Sequence, residues 1–230
     1  MRTLCFRPIW IVTVALLGFS LSPLRAATPP PAAAQTIMDA LTKANAAVVG
    51  VRVNVAEGSR SAETLGRQRS GSGVVIGPDG LILTIGYLMM EASNIQIVTS
   101  DNKTLPAQAV AYDIATGFGL IKPLLPLRGV QPVALGSVGD VSNGESLMAA
   151  TGAQPDGDEA DVSMTQVVSK RAFSGYWEYH LDTAVFTSPP ISNHSGAPLF
   201  NQRGELVGIG SLYVGDAMGG NRRLPGNMFV

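Results

Sequence analysis

Ser192-Asn193-His194-Ser195-Gly196-Ala197-Pro198-Leu199 carries a nucleophile-like serine, and Gly204-Glu205-Leu206-Val207-Gly208-Ile209 follows it as a turn into an apolar run. A serine hydroxyl is a poor nucleophile at neutral pH. It needs a base within hydrogen-bond reach, itself oriented by a third group. Both the base and the scaffold that would hold it must come from elsewhere in the chain.

Upstream, the chain reads as short strands. Val74-Val75-Ile76 and Leu81-Ile82-Leu83-Thr84 are joined by Gly77-Pro78-Asp79-Gly80, which predicts a hairpin. Apolar or alternating runs recur at residues 95–99, 107–112, 118–122, 146–150, 162–168, 181–187 and 206–213. This spacing, with frequent Gly and Pro, predicts an all-β fold of barrel or sandwich type. Residues 123–132 are the expected crossover between two halves. Ile37, Leu41, Ala44 and Val48, with Asp39 and Lys43 between them, predict a short amphipathic helix running into a strand. Residues 58–70 are polar and read as a loop, and Gly71-Ser72-Gly73 as small residues where a strand begins.

Residues 1–26 combine a basic start (Arg2, Arg7), an apolar run from Ile9 to Leu21 and small residues at Ala26 and Ala27. These are the three parts of a cleavable secretory signal. Ser20, Ser22, Pro23 and Arg25 break the run short of the ~20 residues a spanning helix needs. A periplasmic or secreted chain is expected, with no membrane partner after cleavage. Residues 27–36 are rich in Pro and Ala and read as a linker. Cys5 is the only cysteine and lies inside the signal, so the mature part has no disulfide and no thiolate metal site.

Of the 230 residues, 46% are hydrophobic and 14% charged, enough to bury a sizeable core. Removing Arg2, Arg7 and Arg25, in a stretch without acidic residues, takes the formal charge from -1 to -4. No basic surface is left to favour nucleic acid. His180 and His194 are the only histidines, so no metal centre and no cofactor are expected. Asp156 to Asp161 lacks the ligand order of a calcium-binding loop and reads as a solvated acidic turn. Tyr176-Trp177-Glu178-Tyr179-His180 could line a peptide groove, and alternating strand packing accounts for it equally well.

Three blocks together resemble the trypsin-like domain of the HtrA/Deg family of exported serine proteases. Residues 71–76 and 79–84 are similar to the family's opening hairpin, which leads to the catalytic histidine. That position holds Tyr87, in Ile85-Gly86-Tyr87-Leu88-Met89. Tyr112-Asp113-Ile114-Ala115-Thr116-Gly117-Phe118-Gly119-Leu120-Ile121-Lys122 resembles D-x-x-T-D-L-A-L-L-K, and the second aspartate, which orients the histidine, is Gly117. Residues 193–199 and 204–209 resemble G-N-S-G-G-P-L and G-E-V-I-G-I, placing Ser195 at the nucleophile. The resemblance implies two antiparallel β-barrels with the histidine and aspartate positions in the first and the serine in the second. The expected domains are residues 37–125, including the helix, and residues 126–230.

The same resemblance puts an oxyanion-binding turn at Asn193, His194 and Gly196, with Asn193 in place of a family glycine. Asparagine tolerates left-handed backbone better than most residues. Tyr87 is expected to be a poor base, because an unperturbed phenol has a pKa near ~10. Leu224 to Val230 is similar to the family's last barrel strand. By this resemblance the chain is expected to lack the packing helix and PDZ domain that often follow in relatives.

The expectation is thus a degenerate member, inactive as an enzyme, binding a peptide or unfolded protein. Two alternatives stay open: a weak serine endopeptidase or esterase using Ser195, and a non-catalytic subunit of a mixed assembly, as a homo- or hetero-trimer.

Overall fold

The structure is a computed structural model that describes residues 31–154, 159–175, 180–220 and 222–230. The first acidic positions of 156–161 and the aromatic positions 176–179 lie outside the described residues, as do the signal and linker residues 27–30.

Helix α1 spans Ala32–Asn45. It starts inside the stretch read as linker, because Ala32-Ala33-Ala34-Gln35 has high helix propensity but no apolar period to announce it. Its Ala44 is buried, and the Ala40 carbonyl lies where a side chain on Gly204 would be. The helix is thereby seated against the 201–204 turn.

Six strands close the first barrel: β1 (Val48–Val55), β2 (Gln68–Val75), β3 (Ile82–Ile85), β4 (Ala92–Val98), β5 (Thr104–Tyr112) and β6 (Phe118–Pro123), in the order β1-β2-β3-β6-β5-β4. Six more close the second: β7 (Ser146–Thr151), β8 (Asp161–Ser174), β9 (His180–Ser188), β10 (Pro198–Phe200), β11 (Leu206–Val214) and β12 (Gly226–Phe229), in the order β10-β11-β12-β9-β8-β7. Strands paired within each barrel run antiparallel. Closure removes the sheet edges that an open β-sheet would expose. The all-β double barrel with a short N-terminal helix is the architecture expected from the sequence.

The predicted hairpin is present, with Val74 opposite Leu83 and Val75 opposite Ile82. Its tip carries a Lys122–Asp79 ion pair at 2.6 Å, solvent-exposed and therefore of small energetic weight. The crossover is longer than residues 123–132: it runs to Glu145, with Leu135 bridging Leu206 and a 3-10 turn at Val138–Asp140.

Strand β2 corrects the sequence reading. Gln68-Arg69-Ser70 is strand rather than loop, and Gly71-Ser72-Gly73 sits mid-strand rather than at its start. Polar residues concealed the strand because Arg69, only 5% exposed, is satisfied by carbonyls and a hydroxyl instead of solvent. One core cluster joins β1–β4 residues such as Val51, Val74 and Ile97 to Met148, Phe200 and Ile209 of the second barrel. The barrels therefore share apolar burial, the main favourable term in folding.

Candidate active site

Ser195 stands on a turn pinned from both barrels. Its carbonyl accepts from the Ser72 amide of β2 at 2.8 Å. On the other side the Gly196 amide donates to the Gly210 carbonyl at 2.8 Å, and the Gly210 amide donates to Ala197 at 2.8 Å. The turn closes on itself through the Ala197 amide and the His194 carbonyl at 3.0 Å.

Gly71 of β2 follows from this approach, whereas Gly73 is hemmed in by Ile82, Leu83 and Val51 of its own barrel. A Cβ on Gly71 would lie 2.4 Å from the Ser195 carbonyl oxygen, where backbone leaves no room. Between the glycines, buried Ser72 uses its hydroxyl to accept from the Gly152 amide at 2.9 Å. Its carbonyl accepts from the buried Thr84 hydroxyl at 2.7 Å. Gln154 Nε2 donates to the Gly71 carbonyl at 2.6 Å. The Ser72–Gly152 and Gln154–Gly71 bonds join the two barrels, and the Thr84–Ser72 bond braces β2 within the first.

Tyr87 projects from the 3-10 turn Gly86–Met89 that follows β3, with Leu88 and Met89 buried beside it. Its phenol oxygen is 2.6 Å from Ser195 Oγ and 3.1 Å from the Ser211 carbonyl. Ser211 lies at a register shift in the β11–β12 pairing, between Gly210 and Leu212. A phenol has one proton for two acceptors. When it donates to the Ser211 carbonyl, the Ser195 hydroxyl is left to donate to the phenol oxygen. When it donates to Ser195, it occupies a lone pair that a nucleophile would use.

Gly117 does not reach this pair by any side chain, and its backbone explains the turn. It has φ 81°, in the left-handed region that glycine enters without steric cost. Its amide donates to the Asp113 carbonyl at 2.8 Å, and its carbonyl accepts from Gly86 at 2.7 Å. Asp113, the first aspartate of the quoted block, closes the same turn by accepting from the Ala115 amide at 3.0 Å and the Thr116 hydroxyl at 2.7 Å. The Tyr112 ring fills the space beside Gly86, with ring carbons 2.0 and 2.2 Å from where a Cβ would be.

Asn193 is exposed and has φ 51°, a left-handed conformation that asparagine adopts more readily than most residues. His194, partly buried, has its pKa lowered by desolvation, which disfavours the imidazolium. His180 is exposed on β9, and its Nδ1 is 2.9 Å from Ser174 Oγ.

Sequence reasoning missed two contributors. Arg69 donates from Nη1 to the Tyr87 carbonyl at 2.8 Å and the Met90 carbonyl at 2.9 Å, and from Nη2 to Ser61 Oγ at 2.6 Å. Burial lowers its pKa. Ser61 in turn donates its hydroxyl and its amide to Glu91, which holds that carboxyl below the usual range. The second is the Ser211 carbonyl. An arginine in a polar run reads as solvated, so the sequence carried no signal for the first, and a backbone acceptor leaves none either.

Residues 71–209 match the family model described as a trypsin-like peptidase domain. The chain is 32% identical over 152 residues to a protein of Ectopseudomonas mendocina named as a probable periplasmic serine endoprotease, DegP-like, covering 64% of this chain and 31% of that one. It is 34% identical over 151 residues to serine protease HTRA1 of Xenopus tropicalis, covering 63% and 32% respectively. It thus spans about a third of the length of these curated relatives. Among solved structures, the HtrA-type protease AlgW with a tripeptide superposes with a TM-score of 0.65 at 19% identity, over 84% of this chain and 59% of that one. The inactive form of the Rv3671c protease superposes with a TM-score of 0.63 at 17% identity, over 88% and 92%. At these identities the structures share the fold.

Proposed function

The chain belongs to the trypsin-like peptidase domain family, in its HtrA type, and from that premise we propose that it is an exported member, catalytically impaired at neutral pH, that binds extended peptide or unfolded protein beside Ser195. The single observation that carries the impairment is the 2.6 Å contact of Tyr87 with Ser195 Oγ. The residue touching the hydroxyl is one that holds its own proton at neutral pH, with an ordinary pKa near ~10. A general base works best with a pKa near the operating pH. Gly117, at the position the family gives to the orienting aspartate, brings no carboxylate.

Binding is supported by what is retained. The Ser195 turn is anchored to both barrels, and the similar DegP-like proteins are named as endoproteases, which act on polypeptide. Export is supported by the tripartite pattern of residues 1–26 and by the periplasmic naming of those relatives. Cleavage near Ala26 would release the mature chain into the periplasm.

Isothermal titration calorimetry with a panel of extended peptides at neutral pH, followed by mass analysis of the same mixtures, tests this reading. Saturable heats with intact peptides are the expected result. Flat titrations across a diverse panel would remove the binding role, and Ser195-dependent fragments would remove the impairment.

A further inference from the structure

We propose that Tyr87 is itself the proton acceptor for Ser195, so that the pair forms a tyrosine-assisted serine nucleophile once the phenol is deprotonated. The inference rests on reading Ser195 as the nucleophile position and goes beyond the impairment argued for neutral pH.

The geometry is that of a base and its nucleophile. Heavy atoms 2.6 Å apart are within the reach required for direct proton transfer. The Ser211 carbonyl, 3.1 Å from the phenol oxygen, can take the phenol proton in a hydrogen bond and leave the oxygen facing Ser195 as an acceptor. In that arrangement a neutral phenol still cannot hold the serine proton. Receiving it would create a doubly protonated oxygen, and an amide carbonyl is too weak a base to relieve it. A phenolate has no such difficulty: it accepts the proton and becomes the ordinary phenol.

The surroundings support one position for this pair. Arg69 clamps the Tyr87 backbone, and Ser195 is held through Ser72 and Gly210, so neither side chain needs to swing to meet the other. The charged and titratable groups on the neighbouring elements are Arg69 on β2, Tyr112 on β5 against Gly86, Glu91 beyond the turn, Lys122 at the far end of β6 paired with Asp79, Tyr213 on β11, and His194 in the nucleophile turn. Arg69 acts on Tyr87 through its backbone carbonyl, and the Ser211 carbonyl is the group bonded to the phenol oxygen besides Ser195.

With a fluorophosphonate the step balances simply. Ser195 Oγ forms a bond to phosphorus, fluoride departs, and the serine proton passes to the Tyr87 phenolate oxygen. The resulting adduct is stable and adds a defined mass at one residue.

The experiment is a pH series of fluorophosphonate labelling read by intact mass, for the full chain, Ser195→Ala, Tyr87→Phe, and a protein carrying 3,5-difluorotyrosine at position 87. Circular dichroism at each pH confirms that each protein is folded. The expected result is Ser195-dependent labelling whose rate climbs about tenfold per pH unit, as the phenolate fraction does, until it levels at the phenol pKa. Tyr87→Phe lowers the rate at least tenfold at alkaline pH. The difluorinated phenol, being more acidic, moves the whole profile to lower pH; a purely structural tyrosine would leave the midpoint unmoved.

An unchanged profile in Tyr87→Phe, or an unmoved midpoint with the fluorinated residue, overturns the inference. So does an absence of adduct at every pH, which leaves the impaired reading standing. Strong labelling at pH 7 that is indifferent to Tyr87 overturns both.

Discussion

Arg69 holds Tyr87 by its backbone, donating to the Tyr87 carbonyl at 2.8 Å and, one turn on, to the Met90 carbonyl at 2.9 Å. The side chain that meets Ser195 is thus placed by a residue 18 positions earlier, on strand β2. Hydrogen bonds to charged donors are among the stronger ones, and removing this donor leaves carbonyls unpaired in a region with little water. Arg69→Met is therefore expected to cost about 3 kcal/mol. In a domain of this size that lowers Tm by roughly 6–12 °C in a thermal melt. A melt unchanged within two degrees would show that the clamp contributes nothing.

Gly71 makes the seam between barrels possible, and its replacement tests how closely they meet. A Cβ there would be 2.4 Å from the Ser195 carbonyl oxygen and 2.7 Å from Leu88 Cδ1. Leu88 can rotate, but the carbonyl belongs to the backbone of the Ser195 turn and has to shift. Gly71→Ala is expected to destabilise by about 2 kcal/mol or more, as overpacking does. Gly215→Ala meets nothing within 4 Å and is the control, expected within about 0.5 kcal/mol of the parent. Urea unfolding of both proteins gives the comparison, and equal midpoints would contradict the close approach.

The parts of this molecule that were legible in the sequence are those whose signal is carried by side chains in local order. The β2–β3 hairpin was visible because Val74 to Ile76 and Leu81 to Thr84 flank a Pro-Asp-Gly turn. Ser195 and Tyr87 could be placed because each lies inside a recognisable block, although their contact spans 108 positions of chain. The start of β2 was hidden because Arg69 is polar and the rule that buried means apolar fails for a guanidinium satisfied by carbonyls. Strand β10, at three residues, is too short to show alternation. The first turn of α1, Ala32-Ala33-Ala34-Gln35, favours a helix but marks no apolar face. The Ser211 carbonyl, common to every residue type, could not be distinguished at all before the fold brought it to the phenol.

Placing histidine at 87 and aspartate at 117, as the family resemblance would have them, tests whether the backbone accommodates a triad. Tyr87→His would set an imidazole near Ser195. Gly117→Asp, however, would have to carry its carboxylate from a residue at φ 81° whose amide and carbonyl are committed to Asp113 and Gly86. A left-handed residue directs its Cβ differently from an extended one. The double variant is therefore expected to hydrolyse a chromogenic ester no more than about threefold faster than Tyr87→His alone. In triad enzymes a correctly placed aspartate is worth about four orders of magnitude in kcat, so a true reconstruction could not be overlooked.

His194 gives the molecule a pH dependence whose sign is fixed by burial. Desolvation lowers its pKa in the folded state below the unfolded value of about 6.5. Between those two values the unfolded chain binds more protons than the folded one, so folding stability rises with pH there. Its contribution is fully present above the unfolded pKa and is lost as pH falls through that window, because an imidazole beside Ser195 must be charged in a partly buried place. Stability measured by urea unfolding from pH 7.5 down to pH 5 is expected to fall, and His194→Gln to flatten the slope while leaving the neutral-pH value nearly unchanged. A slope identical in the two proteins would assign the acid sensitivity elsewhere.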